Sequence, residues 1–179
     1  MTVITPLARI AVGVVVERRR AANPWVDVIW QPAGVLAGVP EAAPWTVLST
    51  AQDRASFYAG PAEIELYRTE TGNYRDNLAG ATPSLWIALR PTGGEPPVEI
   101  VAVTADPAEG ESFTQAGNDV VEAVPMPAAV QEFVAAFVAE HHVERPFVRR
   151  KRDRADPQAL ARRSPLAKER PKERPKERP

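Results

Sequence analysis

The two residues of this chain whose type most often serves catalysis or metal binding are adjacent histidines. His141 and His142 are its only histidines. Adjacent residues of a helix point about 100° apart, so this pair does not chelate one metal ion from regular helical geometry. Catalysis by either would need a nucleophile nearby, and no sequence motif supplies one. The pattern favours a role at a helix end, where a partly positive side chain stabilises the C-terminal dipole.

Acidic side chains in the middle of the chain are a second possible source of chemistry, as an acid and base pair. The candidates are Glu63, Glu65, Glu70 and Asp76. Glu63 and Glu65 alternate with Ile64 and Leu66, which is typical of a half-solvated strand with an acidic outer face. The chain has no phosphate-loop, nucleophile-elbow or zinc-ligand motif. It also has no Cys, which excludes thiolate chemistry. We therefore predict no catalytic residue, no metal ligand and no cofactor.

Arginines close to tryptophans form the main candidate for ligand binding. Guanidinium groups can hold an anion such as a nucleotide phosphate, and an indole ring can stack on a base or a pterin. A solvated strand end explains the same arginines equally simply. The candidate cofactor-binding residues are Arg18, Arg19, Arg20, Trp25 and Trp30.

Aromatic and arginine side chains are also the ones that most often dominate protein interfaces. We expect exposed Trp or Tyr positions and a basic segment near the C-terminus to contact a partner protein. The basic segment would steer an acidic partner towards the complex. The candidate partner-binding residues are Trp45, Tyr74, Arg149, Arg150, Lys151 and Arg152.

Basic residues are in excess near the C-terminal end of the 179 residues, and acidic residues are in excess in the rest of the chain. Residues 144–179 hold 14 Lys or Arg and 6 Asp or Glu, whereas residues 1–143 hold 8 and 17. The chain ends in three Lys-Glu-Arg-Pro repeats, in which proline opposes a helix and charge opposes a core. The sequence thus predicts a flexible N-terminus (1–8), a single folded β-rich domain (9–148), and a basic, Pro-rich disordered tail (149–179).

The compartment follows from what the sequence lacks. No basic start followed by an apolar run marks a signal peptide, and no run approaches the roughly 20 apolar residues of a membrane span. Absence of Cys suits a reducing compartment. The acidic body carries no known motif for reading nucleic acid. We expect a cytoplasmic protein without a membrane span or specific nucleic-acid binding.

Runs of β-branched and aromatic residues predict a series of strands. Three of the four Trp lie in the first of these runs, between residues 9 and 48. A turn is expected at Gly60-Pro61, and residues 69–77 fit either a hairpin or an irregular helix. The predicted strands are residues 10–16, 25–31, 45–49, 56–58, 63–67, 85–89, 98–104 and 120–124. In the first of them, Ile10, Val12, Val14 and Val16 would line one face. The second ends at Pro32 or continues through residues 33–38 past a kink or bulge.

Two helices are predicted. Asp106 and Pro107 suit the N-cap and first position of a short helix that Gly117 ends. Residues 128–142 carry apolar side chains at helical spacing, namely Val130, Phe133, Val134, Phe137 and Val138. The expected fold is α+β and mainly antiparallel β, a curled sheet or partly closed barrel with this C-terminal amphipathic helix packed on it.

Ordered motifs between about residues 8 and 154 resemble the proteobacterial family catalogued as domain of unknown function 3305. They are Gly13-Val14-Val15-Val16-Glu17-Arg18-Arg19, Asn23-Pro24-Trp25, Trp30-x-Pro32-x-x-Val35-Leu36, Pro44-Trp45, Tyr58-x-Gly60, Tyr74-Arg75-x-Asn77-Leu78, Pro125-Met126-Pro127 and His141-His142-Val143-Glu144-x-Pro146-Phe147.

The resemblance implies an accessory role around a molybdenum or tungsten enzyme. Members of the family are often labelled molybdopterin-guanine dinucleotide biosynthesis proteins, and their genes tend to lie beside those of formate dehydrogenase. A guanylyltransferase of that pathway has an N-terminal glycine-rich loop followed by Lys, and residues 10–18 contain neither. We therefore expect a non-catalytic accessory protein that binds a formate dehydrogenase subunit or a maturation factor. The alternative is a nucleotidyltransferase or cofactor-binding protein of molybdopterin-guanine dinucleotide biosynthesis.

Overall fold

A computed structural model describes residues 5–22, 25–115 and 117–144 of the protein. This part of the chain contains seven strands and three helices. The strands are β1 (Ala8–Arg20), β2 (Val28–Ala37), β3 (Thr46–Thr50), β4 (Arg54–Leu66), β5 (Ser84–Pro91), β6 (Val98–Thr104) and β7 (Val120–Pro125). The helices are α1 (Thr71–Leu78), α2 (Pro107–Thr114) and α3 (Ala128–His141).

The strands form two sheets, and their ladders are antiparallel. One sheet has the order β2-β1-β4-β3 and the other the order β6-β5-β7. An isolated parallel bridge joins Val12 to Gly38 outside these ladders. The mainly antiparallel α+β class is therefore confirmed.

The expected single curled sheet or partly closed barrel is wrong. After β4 the chain enters a helical segment that ends at Leu78, and β5 begins a separate sheet instead of extending the first. β7 follows helix α2 in the chain and pairs directly with β5. Three helices are present in the described residues, so the sequence pattern missed α1 as a definite element.

Bulges lie at two positions, where the sequence suggested a turn at Gly60-Pro61 and either a strand end or a bulge at Pro32. Gly60 and Pro61 lie within the 13-residue strand β4, where the register to β1 shifts beside Gly60. Gly60 has φ +144°, a conformation open to glycine and strained for other residues, so the chain bulges there instead of turning. In the same way β2 runs through Pro32, with a register shift against β1 at that point.

The core lies between the two sheets and is closed at one end by α1 and α3. It includes Val12, Val14 and Val16 of β1, which alternate along one face as predicted. Val130, Val134 and Phe137 of α3 are buried in the same core, and Phe133 and Val138 are partly buried. The apolar stripe predicted for this helix is therefore confirmed. Helix α3 contacts α1 more extensively than it contacts β1 or β2.

Helix α2 covers the opposite face of the smaller sheet. Its N-cap is Asp106, whose Oδ1 accepts a hydrogen bond from the Ala108 N–H at 2.8 Å, as the sequence predicts. Asn73 of α1 donates to both carboxylate oxygens of Asp106, at 2.9 and 3.1 Å. This carboxylate therefore caps one helix and ties it to another. None of the helices in the described ranges is long and apolar enough to cross a membrane.

Candidate functional site: an aromatic cleft

Part of the inner face of the four-stranded sheet is left uncovered. Val47 lies directly opposite Phe57, and Phe57 opposite the buried Val16, so all three side chains share one face. Val16 is fully buried, whereas Val47 is 55% exposed. β1 and β4 have 13 residues each, and the facing strands β5 and β6 have only 8 and 7. The longer strands thus carry an apolar surface beyond the core.

This surface forms a recess of about 430 Å³, here named the aromatic cleft. Its volume falls within the range of ligand and peptide-anchor pockets, roughly 300–1,000 Å³. The aromatic cleft is lined by Arg18, Val28, Trp30, Trp45, Phe57, Glu95 and Pro97.

Three aromatic rings form the floor of the cleft. The Trp30 and Trp45 centroids are 5.8 Å apart in an edge-to-face arrangement, and the Trp30 and Phe57 centroids are 5.4 Å apart. Such pairs contribute roughly 0.5–1.5 kcal/mol each beyond the area that they bury. All three rings are only partly buried, so they keep apolar surface for an occupant.

The backbone of Trp45 is strained. Its φ is +70°, a region that bulky residues rarely adopt. Its N–H donates to the Tyr58 carbonyl oxygen at 2.5 Å, which fixes this conformation. A strained backbone conformation persists only where the surrounding fold holds it in place. Such conformations concentrate at functional sites. Trp45 therefore holds its ring in the cleft at the cost of local backbone strain.

Two opposite charges flank the rings. Arg18 lies directly opposite Trp30 in the β1–β2 ladder, on the same face of the sheet. Glu95 lines the cleft from the β5–β6 hairpin. A site for a highly charged phosphate normally gathers cations, whereas one cation and one carboxylate beside apolar rings resemble a protein interface.

The other candidate cofactor-binding residues lie outside this cleft. Arg19 and Arg20 line a separate recess of about 280 Å³ at the end of β1, which Arg18 also borders. Trp25 is 89% exposed and lines neither recess. Of the predicted group, only Arg18 and Trp30 line the aromatic cleft, whereas Arg18, Arg19 and Arg20 share the other recess.

The partner-binding candidates divide in the same way. Trp45 lies in the aromatic cleft. The prediction for Tyr74 is wrong, because its side chain is 1% exposed and its ring packs against Phe137 at 6.2 Å. The spacing of aromatics does not distinguish a core tyrosine from a surface one. Arg149, Arg150, Lys151 and Arg152 lie outside the described residues, as does the predicted tail, 149–179.

Sequence reasoning missed four residues that line the cleft, which are Val28, Phe57, Glu95 and Pro97. Val28 and Trp30 share a strand face by their spacing of two, which is a signal that the sequence contains. Phe57 and the 95–97 hairpin come from distant parts of the chain. Only the ladder between β1 and β4 brings Phe57 to the same face.

The predicted acidic face surrounds Tyr67. Two adjoining recesses, of about 320 and 210 Å³, share Tyr67 and Glu109. Glu63 and Glu65 line the smaller recess and pair with Arg9, at 3.9 and 3.0 Å. Glu70 lines the larger one. Asp76 lines neither recess and pairs with Arg75 at 3.1 Å. In the described ranges no group of His, Asp or Glu side chains is arranged to hold a metal ion.

Two tyrosines beside these recesses are expected to ionise late. The hydrogen bond that the Tyr67 hydroxyl donates to Glu65 raises the pKa of Tyr67 to about 12. Burial raises the pKa of Tyr74 to about 12. An unfolded tyrosine ionises near pH 10, so the folded state holds these protons more tightly. Their contribution to the free energy of unfolding is complete below about pH 10 and is lost as the pH rises towards about 12.

We expect ultraviolet titration of the folded protein to show two phenols that ionise well above pH 10. Tyr67→Phe and Tyr74→Phe should each remove one of these two ionisations at high pH. The Tyr67→Phe variant should also lose less stability than wild type between about pH 10 and 12. Normal ionisation of both phenols in protein shown to be folded would contradict these assignments.

The two histidines have different partners. His142 is the C-cap of α3, and its N–H donates to the Val138 carbonyl oxygen at 2.8 Å. Arg75 can only donate, so Nε2 of His142 accepts at 3.1 Å, and Nδ1–H donates to Thr71 Oγ1 at 3.1 Å. The ring of His141 packs on Phe137, 4.6 Å between centroids. His142 thus lies at the helix end as expected, but its ring bonds to Thr71 and Arg75 and so ties α3 to α1 instead of interacting with the C-terminal carbonyl groups.

Comparison with known proteins places the chain in one family. No curated protein and no solved structure matches it significantly. The family model described as "Protein of unknown function (DUF3305)" matches residues 11–151. That span includes all the strands and helices described above except the first three residues of β1. The chain therefore belongs to the DUF3305 family.

Proposed function

We propose that this protein is a non-catalytic accessory protein of a molybdenum or tungsten formate dehydrogenase. It acts by protein–protein contact in the cytoplasm, and the aromatic cleft is its contact surface. The partner is a formate dehydrogenase subunit or one of its maturation factors. The resemblance to a family encoded beside formate dehydrogenase supports this choice of partner.

The aromatic cleft is the observation that carries the proposal. It combines three partly exposed rings with a flanking Arg18, the residue types that dominate interface hot spots. Val28 and Val47, 40% and 55% exposed, extend the apolar surface around it. Clustered exposed apolar side chains of this kind mark interaction sites in soluble proteins.

Affinity capture tests the proposal with matched variants of the tagged full-length protein, expressed in cells that make formate dehydrogenase. Trp45→Gly removes the central ring while suiting φ +70°, so it should stay folded. Leu7→Ser, at another site that is 58% exposed, is the control. We expect wild type and Leu7→Ser to enrich the dehydrogenase or its maturation factor, and Trp45→Gly to lose roughly 90% of it.

Two results would count against the proposal. One is wild-type protein that enriches neither the dehydrogenase nor a maturation factor. The other is a strain that lacks the gene yet retains full formate dehydrogenase activity and normal molybdenum or tungsten content.

A role in molybdopterin-guanine dinucleotide biosynthesis is the second candidate. Arg18 and Trp30, directly opposite each other in one cleft, favour it, because they could hold a phosphate and stack on a ring. Glu95 in the same cleft disfavours a phosphate through charge repulsion. Calorimetry with GTP separates the two candidates. The accessory role predicts no binding, whereas tight binding that Arg18→Gln abolishes would favour the alternative.

A further inference from the structure

Strand β3 presents an open edge. It pairs with β4 on one side and is the last strand of its sheet in the described part of the chain. All five of its residues are exposed. Natural edge strands are often protected by Lys, Pro or very short length, and Thr46-Val47-Leu48-Ser49-Thr50 contains neither Lys nor Pro. β2, at the opposite edge, carries Pro32 and contacts β7.

The hydrogen bonds beside the β3–β4 turn show which backbone groups are available. The Ala51 N–H donates to the Arg54 carbonyl oxygen at 2.8 Å. Residues of an antiparallel strand alternate between facing their partner strand and facing away from it. Thr50, the neighbour of Ala51, therefore directs its N–H and C=O away from β4. An extended chain beside β3 could bond to these groups.

The open edge is continuous with the aromatic cleft. Trp45 immediately precedes β3, and Val47 lies opposite Phe57 on the face that forms the cleft floor. Alternate side chains of a strand point to the same face. A segment added beside β3 would therefore place every second side chain next to Val47, at the edge of the aromatic cleft.

Arginines concentrate at the far end of β3. The recess there, of about 280 Å³, is bordered by Arg18, Arg19, Arg20 and Arg54, which are half of the eight basic residues in residues 1–143. Asp27 and Asp53 also line it, and Asp53 pairs with Arg54 at 3.7 Å. Cations are in excess in this recess, although the folded part of the chain is acidic.

Two of these arginines lie opposite each other, and their repulsion lowers the stability of the sheet. Arg19 and Arg54 are directly opposite in the β1–β4 ladder, and like charges in that position destabilise a sheet. A carboxylate between them would relieve the repulsion and form charge-assisted hydrogen bonds. This end of the protein is thus complementary to acidic side chains.

We propose that β3 binds an extended, acidic segment of the partner protein by strand addition. Backbone groups of the segment pair with the open edge, alternate apolar side chains pack on Val47 at the edge of the aromatic cleft, and its carboxylates contact the arginine recess at the end of β3. The inference rests on the proposed function, because it states how the accessory protein recognises its partner. A second copy of β3 fits less well, since it brings no acidic residue to the arginines.

Fluorescence anisotropy with labelled synthetic peptides tests this mode of binding on the full-length protein. The probe alternates Val and Thr around one Phe and ends in three Glu residues. One matched peptide ends in three Lys, and another has Pro at alternate positions. We expect the acidic peptide to bind, the Lys peptide to bind roughly tenfold or more weakly, and the Pro peptide not to bind.

Protein variants identify the surface. Thr50→Pro removes an N–H that faces away from β4, so it should abolish binding while the protein keeps its circular dichroism spectrum. Arg20→Gln should weaken binding of the acidic peptide roughly threefold to tenfold, and Arg68→Gln, an exposed arginine elsewhere, should not. Arg20→Gln keeps the test decisive if Thr50→Pro fails to fold.

Three results would overturn the inference. They are no binding of the acidic peptide, equal binding of the Lys peptide, and self-association of the protein through β3 that excludes the peptide. If the dehydrogenase is captured equally by wild type, Thr50→Pro and Arg20→Gln, strand addition is wrong while the proposed function stands. If the acidic peptide binds but the dehydrogenase is never captured, the recognition mode stands and the proposed partner is wrong.

Discussion

Replacing Asn77 by Asp is expected to lower the free energy of unfolding by about 2–4 kcal/mol, because it leaves buried groups without partners. The Asn77 amide donates to the carbonyl oxygens of Ser84 and Ala105, at 2.8 and 2.9 Å, and accepts from the Ser84 N–H at 3.0 Å. The side chain is 9% exposed. A carboxylate has the same shape but offers no donor, so it would place a negative charge against two carbonyl oxygens.

Denaturant unfolding near neutral pH measures this effect. Asn118→Asp is the matched control, because Asn118 is exposed and should change stability by less than about 0.5 kcal/mol. The deficit of Asn77→Asp should shrink towards about pH 4, where protonation restores one donor. Equal effects of the two substitutions would show that Asn77 does not join α1 to the smaller sheet.

Replacing Gly110 by Ala should destabilise the protein by about 1–3 kcal/mol, because the contact between α2 and Trp86 of β5 cannot accommodate the added methyl group. A Cβ at this position of α2 would lie 2.3 Å from Cγ, 2.6 Å from Cδ1 and 2.8 Å from Cβ of Trp86. The last of these atoms is fixed to the backbone of β5, so a rotamer change of the ring does not relieve the overlap. Either α2 must move away from the sheet or Trp86 must leave its position.

Gly72→Ala in α1 is the control for this prediction. Nothing lies within 4 Å of a Cβ at Gly72, and alanine favours a helix over glycine by about 1 kcal/mol. Stability should therefore stay the same or rise in Gly72→Ala and fall in Gly110→Ala, as measured by thermal and denaturant unfolding. Trp86→Ala should partly rescue Gly110→Ala, since it removes Cγ and Cδ1. A stabilised Gly110→Ala variant would place α2 away from Trp86.

Most of the local structure followed from short-range patterns. Alternation of Val12, Val14 and Val16 predicted a strand with one buried face, since a strand turns every second side chain the same way. The spacing of Val130, Val134 and Phe137 predicted α3, and Asp106-Pro107 predicted the start of α2. These patterns depend on neighbours a few residues apart, which are visible in the sequence.

The same patterns failed where partners distant in sequence decided the outcome. Gly60-Pro61 suggests a turn, but pairing with Val14 and Gly13 of β1 holds this segment in a single strand with a bulge. The sequence around Tyr74 does not distinguish a surface aromatic from a buried one, and in the structure its ring packs against Phe137 of α3. Residues 69–77 fitted both a hairpin and a helix, and contact with α3 and the Asn77 hydrogen bonds favours the helix.

By itself the sequence determined most of the strands, helices α2 and α3, the buried face of β1 and α3, the uneven distribution of charge, and Arg18, Trp30 and Trp45 as candidates. The tertiary structure decided that the strands form two sheets and that Phe57 and Glu95 complete a cleft around those three residues. It also left β3 as an open edge. The physical reason is that strand pairing and sheet length are long-range properties, set by which segments bury each other's apolar faces.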